Sequence, residues 1–247
     1  MRVDMLTLFP SMFAGPFGDS IIKRAIDKGL LTVHYTNFRD FATDKHHQVD
    51  DTPFGGGSGM VLKPEPLFAA VGQVLDSDKT GISPSKRRVL LMDPSGVPFT
   101  QAKAKELAKL DWLIFICGHY EGYDARIANL ADEAISLGDY VLTGGELPAM
   151  VITDAVARML PGVLGAADSA TTDSFYDGIL GYPQYTKPRE FAGLTVPEVL
   201  ISGDHAKINR WRRQEALKAT YEKRPDLLAK VELSAEDRAF LQGIAAI

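Results

Sequence analysis

Trp112-Leu-Ile-Phe-Ile-Cys117 is apolar at every position. A strand built from it has two apolar faces, as expected of a central parallel strand covered by helices on both sides. The flanking sequence supports that reading. Strand candidates recur at Val3–Leu8, Leu31–Asn37, Val89–Met92 and Glu133–Leu137, with helix signals between and after them. Ser20–Lys28 ends at Gly29, Gln101–Leu110 follows Thr100 as a candidate cap, and Leu147–Leu160 stops at Pro161. This alternation predicts an α/β domain over residues 1–165, with a mostly parallel sheet and helices on both faces. From Gly162 to about Pro188 the composition is mixed and turn-rich, so 166–188 reads as an interdomain linker. A small, mostly helical domain is expected over 189–247. There His205–Arg224 is a helix candidate stopped by Pro225, and Ser234 with Asp237 makes a weak capping box for a last helix.

The bulk numbers narrow the class. With 247 residues, 45% apolar and 24% charged, the chain can bury a full core without staples. Its single cysteine, Cys117, excludes an internal disulfide framework. Together with an opening MRVDMLTLFP that lacks a basic-then-apolar signal segment, this makes a reducing cytoplasm the expected compartment. No apolar run approaches the roughly 20 residues of a membrane helix. A net charge of −5 argues, taken alone, against a nucleic-acid binder. The charge is uneven, however. From Lys187 to Ile247 there are 11 Lys/Arg against 9 Asp/Glu, so the excess of acid lies in the remainder and a basic face remains open.

Phosphate-cradling signatures are missing: no glycine cluster precedes Lys-Ser/Thr, and no Gly-x-Gly-x-x-Gly follows a strand. A conventionally bound dinucleotide is not expected. His46, His47, Asp50 and Asp51 crowd one loop, but tight zinc sites want separated, oriented ligands, and no metal site is expected. The loop Asp50-Asp-Thr-Pro-Phe-Gly-Gly-Gly-Ser-Gly-Met60 places four glycines in five positions. It is either a flexible surface loop or one whose backbone geometry only glycine allows. Three more loops follow predicted strands at their carboxyl ends, where open α/β sheets place ligands. They are Asp93-Pro-Ser-Gly96, Gly118-His-Tyr-Glu-Gly122 and Leu137-Gly-Asp-Tyr-Val-Leu-Thr-Gly-Gly145. Converging, they would let main-chain groups approach a flat ligand such as an adenine with its ribose, and Glu121 would attract a cation or a ribose hydroxyl.

Two single residues keep alternatives open. Arg158 lies four residues after Asp154 and reads equally as half of an exposed helical ion pair. Asp173 in Thr171-Thr-Asp-Ser-Phe175 reads as the cap of a short turn. The helix candidate carries Lys207, Arg210, Arg212, Arg213 and Lys218 around Trp211, and Tyr182, Tyr185, Lys187 and Arg189 add a second aromatic-basic stretch. Guanidiniums beside aromatics reach phosphates or stack on bases, which makes RNA a plausible partner.

Leu8-Phe-Pro10, Val49-Asp-Asp-x-Pro-Phe-Gly-Gly-Gly-x-Gly-Met60, Cys117-Gly-His-Tyr-Glu-Gly-Tyr-Asp124, Gly138-Asp-Tyr-Val-Leu-Thr-Gly-Gly-Glu-Leu-Pro-Ala-Met150, Pro161-Gly-Val-Leu-Gly165 and Trp211-Arg-Arg-Gln214 together carry a resemblance. In that order and spacing they resemble the bacterial tRNA (guanine-N1)-methyltransferases of the trefoil-knotted SPOUT class, over nearly the whole chain. The resemblance implies a knot in the strand-end loops, a homodimer with its active site at the subunit interface, and methyl transfer from S-adenosylmethionine to the guanine at tRNA position 37, just 3′ of the anticodon. It implies donor contacts at Pro94, Gly118, Glu121, Gly122, Leu137, Gly138, Asp139, Tyr140, Val141, Leu142, Gly144 and Gly145. It makes Asp173 the base and Arg158 the guanine-orienting cation. Substrate contacts are implied at His46, Asp50, Gly59, His119, Ser169, Arg212 and Arg213. A dependence on Mg²⁺ is suggested, with no residue that visibly holds the ion. The chain departs from the family pattern at His119, where some members carry Arg, at Thr172, where some carry Glu, and at Ser58, where proline is common.

Overall fold

A computed structural model describes residues 1–165 and 170–245. The chain divides into two compact units, Met1–Ala167 and Asp168–Ile247.

The first unit is built on five parallel strands: β1 (Arg2–Leu6), β2 (Thr32–Thr36), β5 (Arg87–Pro98), β6 (Trp112–Ile116) and β7 (Glu133–Ser136), with the two-residue pair β3 (Asp50–Asp51) and β4 (Val61–Leu62) set apart from them. The spatial order is β2-β1-β6-β5-β7. Met5 pairs with Phe115 and Leu90 with Phe115, so β6 lies between β1 and β5 at the centre of the sheet. All five of its residues are fully buried. The pleat divides them: Leu113 and Phe115 enter one core with Val3, Met5, Leu90 and Ile135, while Trp112, Ile114 and Ile116 enter the other with Leu6, Val89 and Leu91. Each fully buried side chain of this size stabilises by about 1.5–3 kcal/mol, so neither face could be left to solvent.

Helices cover both faces: the single turn α1 (Ala14–Phe17), then α2 (Ser20–Asp27), α3 (Pro64–Asp76), α4 (Gln101–Leu107) and α5 (Glu146–Ala157). Ile22 and Ala25 of α2, Ala104 and Leu107 of α4, and Ala149, Ile152 and Val156 of α5 pack into the first core. Leu67, Ala70, Val71 and Val74 of α3 pack into the second. The Thr100 cap is present, its hydroxyl oxygen accepting from Lys103 N–H. Helix α3, which opens on Pro64 and Pro66, has no counterpart among the sequence expectations. Both lie in its first turn, where the N–H groups have no intrahelical acceptor and proline costs little. The structure also corrects β5. It does not end at Met92 but runs to Pro98, with a register shift between Met92 and Val97, so Asp93-Pro-Ser-Gly96 is a bulge inside the strand.

The second unit holds a two-stranded pair, β8 (Glu190–Phe191) with β9 (Leu194–Thr195), and helices α6 (His205–Lys223), α7 (Pro225–Leu228) and α8 (Ala235–Ala245). Its core is small: Ile179, Ala216 and Leu217, with Tyr182, Leu228, Val231, Leu233, Phe240 and Leu241 packed around them. Thr220 joins the irregular stretch to α6 by accepting from Leu180 N–H at 3.0 Å and donating to Ala216 C=O at 2.7 Å. At the start of α8 the capping box is reciprocal: Ser234 N–H reaches Asp237, and Asp237 N–H reaches Ser234 Oγ, both at 3.0 Å. Pro225 ends α6 as expected and also opens α7, again from a first-turn position.

Candidate active site

At the bulge in β5 and the carboxyl ends of β6 and β7 the three glycine-bearing segments close around a cavity of about 210 Å³. Pro94, Gly118–Tyr123, Leu137 and Tyr140–Gly145 supply most of its wall. The position follows from topology, since in a parallel sheet the carboxyl ends are where connecting loops diverge and leave a crevice.

Two of the loops are locked together. Gly145 N–H donates to Gly118 C=O at 2.8 Å, and His119 bridges Gly144 in antiparallel fashion. A methyl group placed on Gly145 would lie 2.7 Å from Cα of Cys117 and 3.0 Å from N of Gly118, so nothing beyond glycine fits between the start of α5 and the end of β6. A third segment joins from the side. Leu62 N–H donates to Gly122 C=O at 3.0 Å and Glu121 N–H to Met60 C=O at 3.2 Å, while Gly59 lies directly against the Glu121 side chain.

The charged groups here are acidic. Asp93 accepts from Ser95 N–H at 2.6 Å and from the Tyr123 hydroxyl. Burial pushes its carboxyl up, but the bonds from Ser95 and Tyr123 together outweigh that and hold it below the usual range. The same contact, after burial, drives the Tyr123 phenol upward. Behind Gly144 lies Glu146, fully buried, one oxygen accepting from Thr7 Oγ1–H at 2.7 Å. Burial first and the Glu146 charge second push the Cys117 thiol well up, so it is an inert strand residue. The carboxyl groups of Asp93 and Glu121 beside apolar Leu137, Leu142 and Ile135, with exposed main chain between them, suit a ligand that is part cation and part flat heterocycle.

A family model described as tRNA (guanine-1)-methyltransferase TrmD matches residues 1–230. The chain belongs to this family. Among curated relatives, tRNA (guanine-N(1)-)-methyltransferases are 58% identical in Moorella thermoacetica, covering 99% of this chain and 97% of that protein. The corresponding figures are 54%, 100% and 98% in Lactiplantibacillus plantarum, and 56%, 98% and 96% in Staphylococcus epidermidis.

Membership in the tRNA (guanine-1)-methyltransferase family implies S-adenosylmethionine as the methyl donor, and the cavity has the chemistry for it. Of the donor contacts expected from sequence, Pro94, Gly118, Glu121, Gly122, Leu137, Gly138, Tyr140, Val141, Leu142, Gly144 and Gly145 all line the cavity. Asp139 is not among the lining residues. Asp93, Tyr123, Ser136, Thr143 and Pro148 line it without having been singled out. Asp93 and Tyr123 had a signal, since Asp93 opens the quoted Asp93–Gly96 loop and Tyr123 lies inside the quoted Cys117–Asp124 motif.

The expected substrate residues are more scattered. His119 lines the cavity. Gly59 touches Glu121, Asp50 pairs with Leu62 in the β3–β4 ladder, and His46 is exposed, its N–H donating to Asp44 at 2.9 Å. Arg158, half-buried, caps the end of α5, its N–H donating to Asp154 C=O at 3.1 Å. Asp173 belongs to the second unit and is exposed, in a turn where Tyr176 N–H donates to its carbonyl at 3.3 Å. Ser169 lies outside the described residues. On α6, the Arg212 guanidinium sits 5.1 Å over the Tyr182 ring with Nε buried and without a hydrogen-bond partner, whereas Arg213 makes a bidentate pair with Asp237 at 3.0 and 2.8 Å. For Mg²⁺, among the described residues no group of three or more His, Cys, Asp or Glu side chains stands together as ligands.

Proposed function

We propose that this chain transfers a methyl group from S-adenosylmethionine to N1 of guanine 37 of tRNA. One observation carries the reading: in a member of this family, the β5 bulge and the glycine-bearing ends of β6 and β7 close on one acidic, partly apolar cavity. S-adenosylmethionine supplies the methyl group as an electrophile bound in that cavity. Pro94, Gly118, Glu121, Gly122, Leu137, Gly138, Tyr140, Val141, Leu142, Gly144 and Gly145 hold it, the glycines through main-chain groups and Glu121 through charge.

Guanine N1 carries a proton and is a poor nucleophile until that proton leaves. Asp173 accepts it, and Arg158 holds O6, where the charge of the deprotonated ring gathers. A carboxylate is a weak base for a purine N–H, so the cation contributes as much as the base. Positioning of N1 supplies roughly 7–11 kcal/mol of the barrier. No covalent enzyme intermediate is required. Substrate contacts are assigned to His46, Asp50, Gly59, His119 and Ser169, and RNA contacts to Arg212 and Arg213. No step is assigned to Mg²⁺.

Further parts of the reading concern architecture. Residues 1–165 bind the donor, 166–188 connect, and 189–247 engage tRNA in the cytoplasm. The loops at the cavity form a trefoil knot; in support, the chain leaves β7 at the sheet edge and returns past β5 to bond Gly118, inside the β6 loop. Two copies form the working enzyme, with the active site at their interface. Leu147 and Val151, one turn apart on α5, together with Phe9 and Met12, leave exposed apolar surface for it.

The test is methyl transfer from labelled S-adenosylmethionine to unmodified tRNA and to a transcript with guanine 37 replaced, followed by nucleoside analysis. Label in 1-methylguanosine from the first substrate alone supports the reading. Unlabelled RNA would leave a binding module, and label in a ribose-methylated or other nucleoside would leave a different methyltransferase.

A further inference from the structure

Behind the cavity wall, two polar atoms face each other without partners. Nδ1 of His119 and Oε2 of Glu146 are 3.9 Å apart, and both are buried and without a hydrogen bond. Glu146 is only 1% exposed, and its other oxygen is already occupied by Thr7. Thr7 cannot turn away, because its Oγ1 also accepts from Phe9 N–H at 2.9 Å. The Phe9 ring in turn lies against the imidazole, 4.8 Å between centroids, and Tyr120 meets it edge-on at 5.5 Å. Gly144 leaves the passage through which the two side chains approach: a methyl group there would sit 2.5 Å from both atoms.

A buried carboxylate oxygen without a donor is costly, and so is a buried imidazole nitrogen without a partner. A movement of about 1 Å brings this pair to hydrogen-bonding distance and relieves both. A carboxylate can only accept, so a hydrogen bond between the two groups takes its proton from His119 Nδ1. With Nδ1 turned inward, Nε2 is the ring nitrogen left to face the cavity that His119 lines.

We propose that Glu146 and His119 form an orienting pair: Nδ1–H of His119 donates to Glu146 Oε2, fixing the tautomer whose unprotonated Nε2 accepts a hydrogen bond from an N–H or O–H group of the bound methyl donor. His119, beside the target nucleotide, is then a donor-binding residue as well, and Glu146 is the positioning residue that acts through it. The inference rests on the reading that this cavity holds S-adenosylmethionine.

The test uses the full-length protein. Glu146→Gln keeps the shape and an oxygen for Thr7, but presents an amide N–H to Nδ1, which must then accept, moving the proton to Nε2. ¹⁵N-histidine NMR reads the tautomer, with His119 assigned by the resonance lost in His119→Gln. The expected wild-type spectrum has the proton on Nδ1, and in Glu146→Gln it moves to Nε2. KM for S-adenosylmethionine rises about tenfold in each single variant while kcat changes little, and the double variant is no worse than either. His119→Gln alters a partly exposed cavity residue and reads the KM effect even if Glu146→Gln does not fold. A wild-type proton on Nε2, an unchanged KM in His119→Gln, or effects that multiply in the double variant would each overturn the pair. A wild-type chain that takes up no S-adenosylmethionine in calorimetric titration sinks the donor reading and the ligand half of this proposal, while the tautomer still decides the pair itself.

Discussion

Replacing Gly145 with alanine tests the closure of the cavity most directly. The added methyl would lie 2.7 Å from Cα of Cys117, 2.9 Å from Cβ of Met92 and 3.0 Å from N of Gly118. None of these is the end of a flexible side chain, so no rotamer change relieves the contact. The φ of Gly145 is −81°, which alanine adopts freely, and the cost is therefore a clash and not backbone strain. Relief requires the start of α5 to back away from β6, which stretches the 2.8 Å bond from Gly145 N–H to Gly118 C=O. Overpacking of this kind costs about 1–3 kcal/mol and the lost bond about 0.5–1.5 kcal/mol, so a loss of about 2–4 kcal/mol is expected. Because Gly118, Gly144 and Gly145 all line the cavity, S-adenosylmethionine should also bind at least about tenfold more weakly, the equivalent of about 1.4 kcal/mol. Urea denaturation and calorimetric titration measure the two effects. Gly72→Ala is the control: it lies inside α3 with nothing within 4 Å of the new methyl, and should gain about 0.5–1 kcal/mol. If Gly145→Ala kept both the wild-type urea midpoint and the wild-type affinity while Gly72→Ala behaved as stated, the steric argument would be refuted.

Three further outcomes are expected. Arg212→Ala should weaken tRNA binding and lower its salt slope by about 1, losing only the Tyr182 contact at about 0.5–1 kcal/mol, whereas Arg213→Ala, which strands Asp237, should cost about 1–3 kcal/mol of stability; a larger effect of Arg212→Ala on melting would contradict the pairing. The Arg213 guanidinium beside Asp237 holds its carboxyl at about 2, against about 3.9 in an unfolded chain. That depression means its contribution is complete above about pH 4 and disappears as pH falls toward 2, so acid titration of the wild type should show a loss in this window that Asp237→Asn lacks. Asp173→Asn should retain tRNA and S-adenosylmethionine binding in titrations and lose single-turnover methylation; near-normal turnover would remove Asp173 from the role of base.

The parts of the fold legible in the sequence are those where one local pattern has one physical meaning. Six apolar residues from Trp112 admit no solvent-facing side, and the strand they form is indeed buried on both faces. Proline has two meanings. Pro161 follows a helix, but Pro64 and Pro66 lie in the first turn of one, and a proline by itself does not separate breaker from starter. Only the apolar residues Leu67, Ala70, Val71 and Val74, at helical spacing and packed on the sheet, decide it. Asp93-Pro-Ser-Gly96 was ambiguous for a similar reason: a turn that ends a strand and a bulge that interrupts one share the same residues, and the pairing of Val97 with Ile135 is what distinguishes them.

The candidate site divides along the same line. Its loops were legible because each is contiguous, but its electrostatics are not contiguous. The Tyr123 hydroxyl bonds Asp93 across 30 residues, Thr7 bonds Glu146 across 139, and Arg213 bonds Asp237 across 24. In the sequence Arg213 is one more cation in a basic helix; in the fold its charge is already engaged, and Arg212 beside it keeps an unpaired buried Nε instead. The glycines differ in kind as well. Gly55 and Gly56 have positive φ and open space around them, so their requirement is conformational, while Gly145 has an ordinary φ and no room for a methyl group. A residue letter cannot carry that difference, yet it determines what substitution does. Relaxing the first kind changes how a loop bends, and crowding the second pushes apart the two loops that close the cavity.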